Sequence, residues 1–153
     1  MSAQLHAVIG ERINSIRQTI DAYSRFFGTR RYPIEQQLSN FLGKSMLPNS
    51  AIPALLLSVE LRSGGLFGLH DLSKIAGQIV FDTSSADESF VGISGKIIKC
   101  SDGEPIIRDD KGIIASIFQG PDKRTSASLH QQGRDASWVL IAFGYPSIPQ
   151  GRV

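Results

Sequence analysis

Apolar residues at Ile9, Ile13, Ile16, Ile20, Tyr23 and Phe27 succeed one another in alternating steps of four and three. That spacing is the buried stripe of an amphipathic helix. Gly28 predicts its end, with Arg25 in a last turn that favours cations; residues 1–8 read as a loose terminus. After the basic link Thr29-Arg30-Arg31-Tyr32, Pro33 suits the first turn of a second helix. Ile34, Leu38, Phe41 and Leu42 form its stripe, and Gly43 weakens its end. A third helix is predicted from an Asn49 N-cap, with Pro53 tolerated in the first turn. Ile52, Leu55, Leu56, Leu57, Val59 and Leu61 make it apolar around most of its circumference, which predicts the central buried helix, ended by Gly64-Gly65.

Leu66 to Gly77 reads as a glycine-punctuated loop and one short helical turn capped by Asp71. From Gln78 the period changes. Gln78–Phe81, Ser89–Ile93 and Lys96–Cys100 are short β-like runs between Asp, Ser and Gly clusters. Pro105–Arg108 and Ile113–Phe118 form a hairpin about Asp109-Asp110-Lys111-Gly112, where Asp bonds locally and Gly tolerates positive φ. That hairpin delivers a polar loop, Gln119-Gly120-Pro121-Asp122-Lys123-Arg124-Thr125. Residues 126–136 are small and polar, a loop or short helix, and Trp138–Phe143 is a last buried strand. Pro146 and Pro149 then end the order, leaving residues 147–153 loose. Helices followed by strands predict one α+β domain with a mostly antiparallel or mixed sheet.

Composition narrows this little. The chain has 153 residues, enough for a real core, and its 41% hydrophobic and 20% charged residues are ordinary for a globular protein. A formal charge of +2 does not itself argue for nucleic acid, although Arg12, Arg17, Arg25, Arg30 and Arg31 bias the first third toward polyanions. A solvated helix face explains that bias equally well. The single Cys100 excludes an intrachain disulfide framework and any multi-cysteine zinc site. Residues 1–20 show no signal-peptide pattern, and no apolar run approaches the roughly 18–20 residues of a spanning helix. A cytoplasmic protein without a membrane partner is expected.

Candidate chemistry is sparse. Gly43-Lys44-Ser45 imitates the tail of a phosphate loop, but Leu38 stands where that motif needs glycine. His6, His70 and His130 match no metal spacing. His70, beside Asp71, fits a general base or ligand-orienting group, or else an exposed imidazole next to an Asp cap. Cys100 reads as a small buried hydrophobe. Asp109, Asp110 and Asp122 could meet at the hairpin's ends and divide acid and base roles, although turn chemistry accounts for all three. Arg124-Thr125 is a donor pair suited to a carboxylate or phosphate.

The order of these stretches carries more than any one of them. A leucine-rich helix leads to a glycine loop and Asp71-Leu72-Ser73-Lys74-Ile75-Ala76-Gly77-Gln78-Ile79; Asp109-Asp110-Lys111-Gly112 and Arg124-Thr125 follow. The chain, over about residues 16–145, resembles the B3/B4 domain of the bacterial phenylalanyl-tRNA synthetase β subunit, and more closely the free-standing B3/B4-domain proteins. The resemblance implies a β-rich, sandwich-like core with helices packed on it. It also implies hydrolytic editing of a mischarged aminoacyl-tRNA in trans, with tRNA rather than DNA as partner and no metal or nucleotide cofactor. Three positions depart from the synthetases: Leu57 stands where they have Asn, Gly68 where they have His, and Ala142 where they have the Glu that binds a tyrosine hydroxyl. Without that hydroxyl partner, preference for tyrosine should be lost. The implied pocket lies between Gln119–Thr125, Gly64–His70 and the last strand near Ala142. Asp122, Arg124 and Thr125 are the candidates for catalysis; Ser116, Gln119, Gly120, Gly68, His70, Leu57 and Ala142 are those for substrate binding. A non-catalytic RNA- or amino-acid-binding module is the alternative, and a small-metabolite binder a third; the oligomeric state is left open.

Overall fold

A computed structural model describes residues 2–28, 32–130 and 137–144. They fall into two compact units: the chain through Phe67 together with the segment from Ala142, and Gly68–Ile141.

The first unit is built from α1 (Ser2–Phe26), α2 (Pro33–Lys44) and α3 (Ala51–Ser63). Pro33 opens α2 as expected, because its fixed φ and missing N–H suit the first turn. The core joins Leu5, Ile9, Ile16, Ile20 and Tyr23 of α1 to Tyr32, Ile34, Leu38, Phe41 and Leu61. Tyr23 and Tyr32 stack with ring centroids 4.5 Å apart, and the Tyr32 hydroxyl donates to the Gly64 carbonyl at 3.1 Å.

Three expectations for the helices need correction. Residues 2–8 are not a loose end: the helical stripe runs back through Leu5, and His6 stacks on Phe41 at 4.6 Å and meets Ser45 Oγ at 2.9 Å. Nor is α3 buried all round. Only Ala54, Glu60 and Leu61 are buried, while Leu55 is 66% exposed. Its N-cap is Ser50 rather than Asn49. Gly64 ends it in the left-handed region (φ 74), where an added Cβ would lie 2.9 Å from the Ile16 carbonyl oxygen. Gly64→Ala is therefore expected to lower stability by about 1–3 kcal/mol in a urea titration; an unchanged midpoint would refute the tight approach.

In the second unit, β2 (Val80–Thr83), β5 (Pro105–Asp109), β6 (Gly112–Ser116) and β7 (Gly120–Pro121) form an antiparallel sheet in the order β2-β5-β6-β7. The β5–β6 hairpin is the one expected: Asp109 Oδ1 accepts from Lys111 N at 2.9 Å across the turn, and Gly112 takes φ 130. β3 (Ser89–Val91) and β4 (Ile97–Lys99) form a second antiparallel pair, with a small core of Phe90, Cys100, Ile106 and Ile113. Burial pushes the Cys100 thiol up, as befits a small core residue. A short helix α4 (Lys123–Ser126) follows β7, then a 3₁₀ turn, Ala127–His130.

Leu66–Asp71, expected as loop, is instead strand β1, paired in a two-stranded sheet with β8 (Trp138–Phe143). The result is an α+β fold with N-terminal helices and antiparallel sheets. Among the described residues no helix is long and apolar enough to cross a membrane. The expected loose end at 147–153 lies outside the described residues.

Candidate functional site

The segment after β1 is held by its acids. Asp71 caps the 3₁₀ turn Leu72–Lys74: Oδ1 accepts from Ser73 N at 3.0 Å and Ser73 Oγ at 2.6 Å, while Oδ2 accepts from Ser128 Oγ at 2.9 Å. The hairpin binds the same segment, with Ala76 N donating to Asp109 Oδ2 at 2.8 Å and Asp110 N to the Ala76 carbonyl at 2.9 Å. The two stretches singled out in sequence therefore meet.

Arg124 joins them. Its Nη1 donates to the Lys74 carbonyl at 2.6 Å and to Asp109 Oδ2 at 2.9 Å, and its Nη2 to Asp109 Oδ1 at 2.8 Å. This fork is the planar, two-point recognition that a lysine cannot reproduce. Arg124 Nε lies 3.7 Å from Asp122 Oδ2. Asp122 is the N-cap of α4, and its Oδ1 accepts from Thr125 N at 3.0 Å and also from the Thr125 hydroxyl. Thr125 Oγ1 lies 2.7 Å from His70 Nδ1, with Ser126 Oγ 3.3 Å from the same nitrogen. A continuous polar chain thus runs Asp109–Arg124–Asp122–Thr125–His70, and all but Arg124 are buried.

Burial, and then the charge of Arg124, hold His70 down to about 4, so the imidazole is neutral at physiological pH. Burial pushes Asp122 up, against the pull of its Thr125 bonds and Arg124. Burial also acts to raise Asp109, but the Arg124 bond and the N–H groups of Ala76 and Lys111 outweigh it, leaving Asp109 below its ordinary value. His70 Nε2 is buried and has no hydrogen-bond partner among the described residues.

The other candidates serve different ends. Ser116 donates to Glu104 Oε1 and accepts from the backbone N–H groups of Phe118 and Gln119, both at 3.1 Å. Gln119 Nε2 lies 3.0 Å from each Glu104 oxygen and 3.1 Å from the Lys99 carbonyl. Both residues therefore secure the buried carboxylate of Glu104, which also accepts from Ser101 N at 3.0 Å. Gly120 supplies a left-handed turn at φ 89. Gly68 is half-buried in β1. Leu57 packs against the helical core and Ala142 is exposed on β8; both belong to the first unit.

Sequence reasoning missed Glu104, Ser126 and Ser128 as parts of these networks. No local pattern marks their part in these networks, because the bonds of Glu104 to Ser116 and Gln119, of Ser126 to His70 and of Ser128 to Asp71 join residues that the fold brings near. Among the described residues no group of three or more His, Cys, Asp or Glu is placed to hold a metal ion. Compared with family models and with curated proteins, the chain matches none.

Proposed function

We propose that this chain is a free-standing editing domain of the B3/B4 type, with the sandwich-like core of that family, which hydrolyses the ester of a mischarged aminoacyl-tRNA in the cytoplasm. One observation carries the reading: the stretches on which the resemblance rests, Asp71–Ile79 and Asp109–Thr125, converge on one buried polar chain ending in an imidazole. Ester hydrolysis needs such a setting, in which preorganised polar groups hold a proton acceptor away from bulk water. Asp122 and Arg124 are bound to one another's neighbours, so their part here is to position rather than to touch the substrate.

A second reading draws on the same geometry. The carboxylates of Asp109 and Asp122 are engaged by Ala76, Lys111, Arg124 and Thr125, which also suits a binding module that keeps the fold without the chemistry. A panel of mischarged tRNAs separates the two. Wild type is expected to deacylate at least one member, and Arg124→Lys, which keeps the charge but loses the fork, should be slower by on the order of 100-fold. Salt-sensitive tRNA binding without turnover would favour the module. Neither binding nor turnover would overturn both.

A further inference from the structure

The tautomer of His70 follows from its neighbours. Asp122, beside the Arg124 guanidinium, is a carboxylate and can only accept. The single Thr125 hydroxyl proton therefore goes to Asp122 Oδ1. Thr125 Oγ1 is left as acceptor toward His70 Nδ1, 2.7 Å away, so Nδ1 carries the ring proton. Ser126 agrees: its hydroxyl points to the Leu69 carbonyl at 3.4 Å, which leaves its oxygen to accept from the same N–H. The neutral ring then has its lone pair on Nε2, the nitrogen that is buried with no partner among the described residues, in a side chain of 0% exposure. An unpartnered buried acceptor carries an unrepaid desolvation cost. A water or ligand O–H reaching Nε2 would remove that cost.

We propose that His70 is the proton acceptor of the site, with Thr125 and Asp122 as the positioning residues that fix its tautomer. The proposal rests on the hydrolytic reading above. In the step assigned to it, water attacks the ester carbonyl carbon and forms a C–O bond while its proton passes to Nε2. The tetrahedral adduct then collapses, breaking the bond to the ribose oxygen, which takes that proton back. The products are a free amino acid and the tRNA 3′-terminal hydroxyl. While the ring is charged, Nδ1–H donates to Thr125, whose hydroxyl donates to the Asp122 carboxylate, so the positive charge is met through one intervening hydroxyl.

Two measurements test this. In protein labelled with ¹⁵N-histidine, long-range ¹H–¹⁵N correlation at neutral pH should show His70 protonated at Nδ1 and bare at Nε2, its signals identified by their loss in His70→Gln. In deacylation assays, His70→Gln should lower kcat by about 10²–10⁴-fold with little change in KM. Thr125→Val should mix the tautomers and lower kcat, and Thr125→Ser should restore both. An Nε2–H tautomer in the wild type overturns the proposal whatever the variants do. If wild type turns over and His70→Gln matches it, His70 loses its role while the hydrolytic reading stands. If wild type shows the Nδ1–H tautomer yet cleaves no ester, the hydrolytic reading fails and the catalytic role with it.

Discussion

Asp109→Ala is expected to lower the unfolding free energy by about 1–3 kcal/mol, the range for leaving a hydrogen-bonded donor without its acceptor. The Asp109 side chain is fully buried and accepts four bonds, from Ala76 N, Lys111 N and both terminal nitrogens of Arg124. Truncation leaves the N–H groups of Ala76 and Lys111 without their acceptor, whereas the part-exposed Arg124 keeps its bond to the Lys74 carbonyl and stays partly solvated. Asp109→Asn should be nearly as harmful, because its NH₂ would face donors on one side. Removing both partners, as in Asp109→Ala with Arg124→Met, should recover part of the loss. The sign with pH is fixed by the depressed carboxyl. Its contribution is present above the unfolded value near 3.8 and fades as pH falls through the lower folded one. Urea titrations of wild type and Asp109→Ala should therefore differ widely at pH 7 and converge in strong acid. A difference below about 1 kcal/mol at pH 7 would show that the pair contributes little.

That carboxylate also fixes the site. It ties the segment after β1 to Arg124, and through Arg124 to Asp122 and Thr125. Partial retention of the fold in Asp109→Asn should thus be accompanied by a disordered His70 tautomer, since Thr125 would lose its anchored neighbour.

Elements set by local chemistry were legible in the sequence. Pro33 fixes the start of α2, Asp109 and Gly112 make the β5–β6 turn, and the apolar run Trp138–Phe143 is β8. Elements set by distant partners were not. Leu66–Asp71 holds a glycine at Gly68 and follows two more, so its local propensity favours loop; pairing with β8, some seventy residues away, makes it a strand. The apolar circumference of α3 predicts burial, yet composition says nothing of how much neighbouring surface exists to cover it. The site divides in the same way. The Asp71 cap follows from short-range spacing, whereas Asp122 caps α4 in a stretch read as loop, and the bond from His70 to Thr125 spans 55 residues and leaves no mark in either stretch.

Glu60 should make the protein less stable as pH rises through neutrality. It sits in the last turn of α3, where the helix dipole disfavours a negative charge, and it is buried, with Oε1 accepting from Phe67 N at 3.1 Å. Burial raises its carboxyl from 4.5 to about 7, partly offset by that Phe67 bond. Below 4.5 the group is protonated folded or unfolded and adds no slope. Between 4.5 and 7 the unfolded chain has released a proton that the folded chain keeps, so stability falls, by about 3 kcal/mol in all. His70 works the other way: lowered from 6.5 to about 4, it makes the folded state bind fewer protons in that range, so stability rises by a similar amount. The two nearly cancel between about pH 4.5 and 6.5, and a wild-type pH profile alone would hide both. Glu60→Gln separates them, because the amide keeps an acceptor for Phe67 N and carries no charge. At pH 8 this variant should be more stable than wild type by about 3 kcal/mol, with the difference shrinking toward zero below pH 4.5. Its own stability should climb from pH 4 to 6.5, exposing the His70 contribution. Parallel wild-type and Glu60→Gln curves between pH 5 and 8 would mean that Glu60 ionises in the folded chain as easily as in the unfolded one.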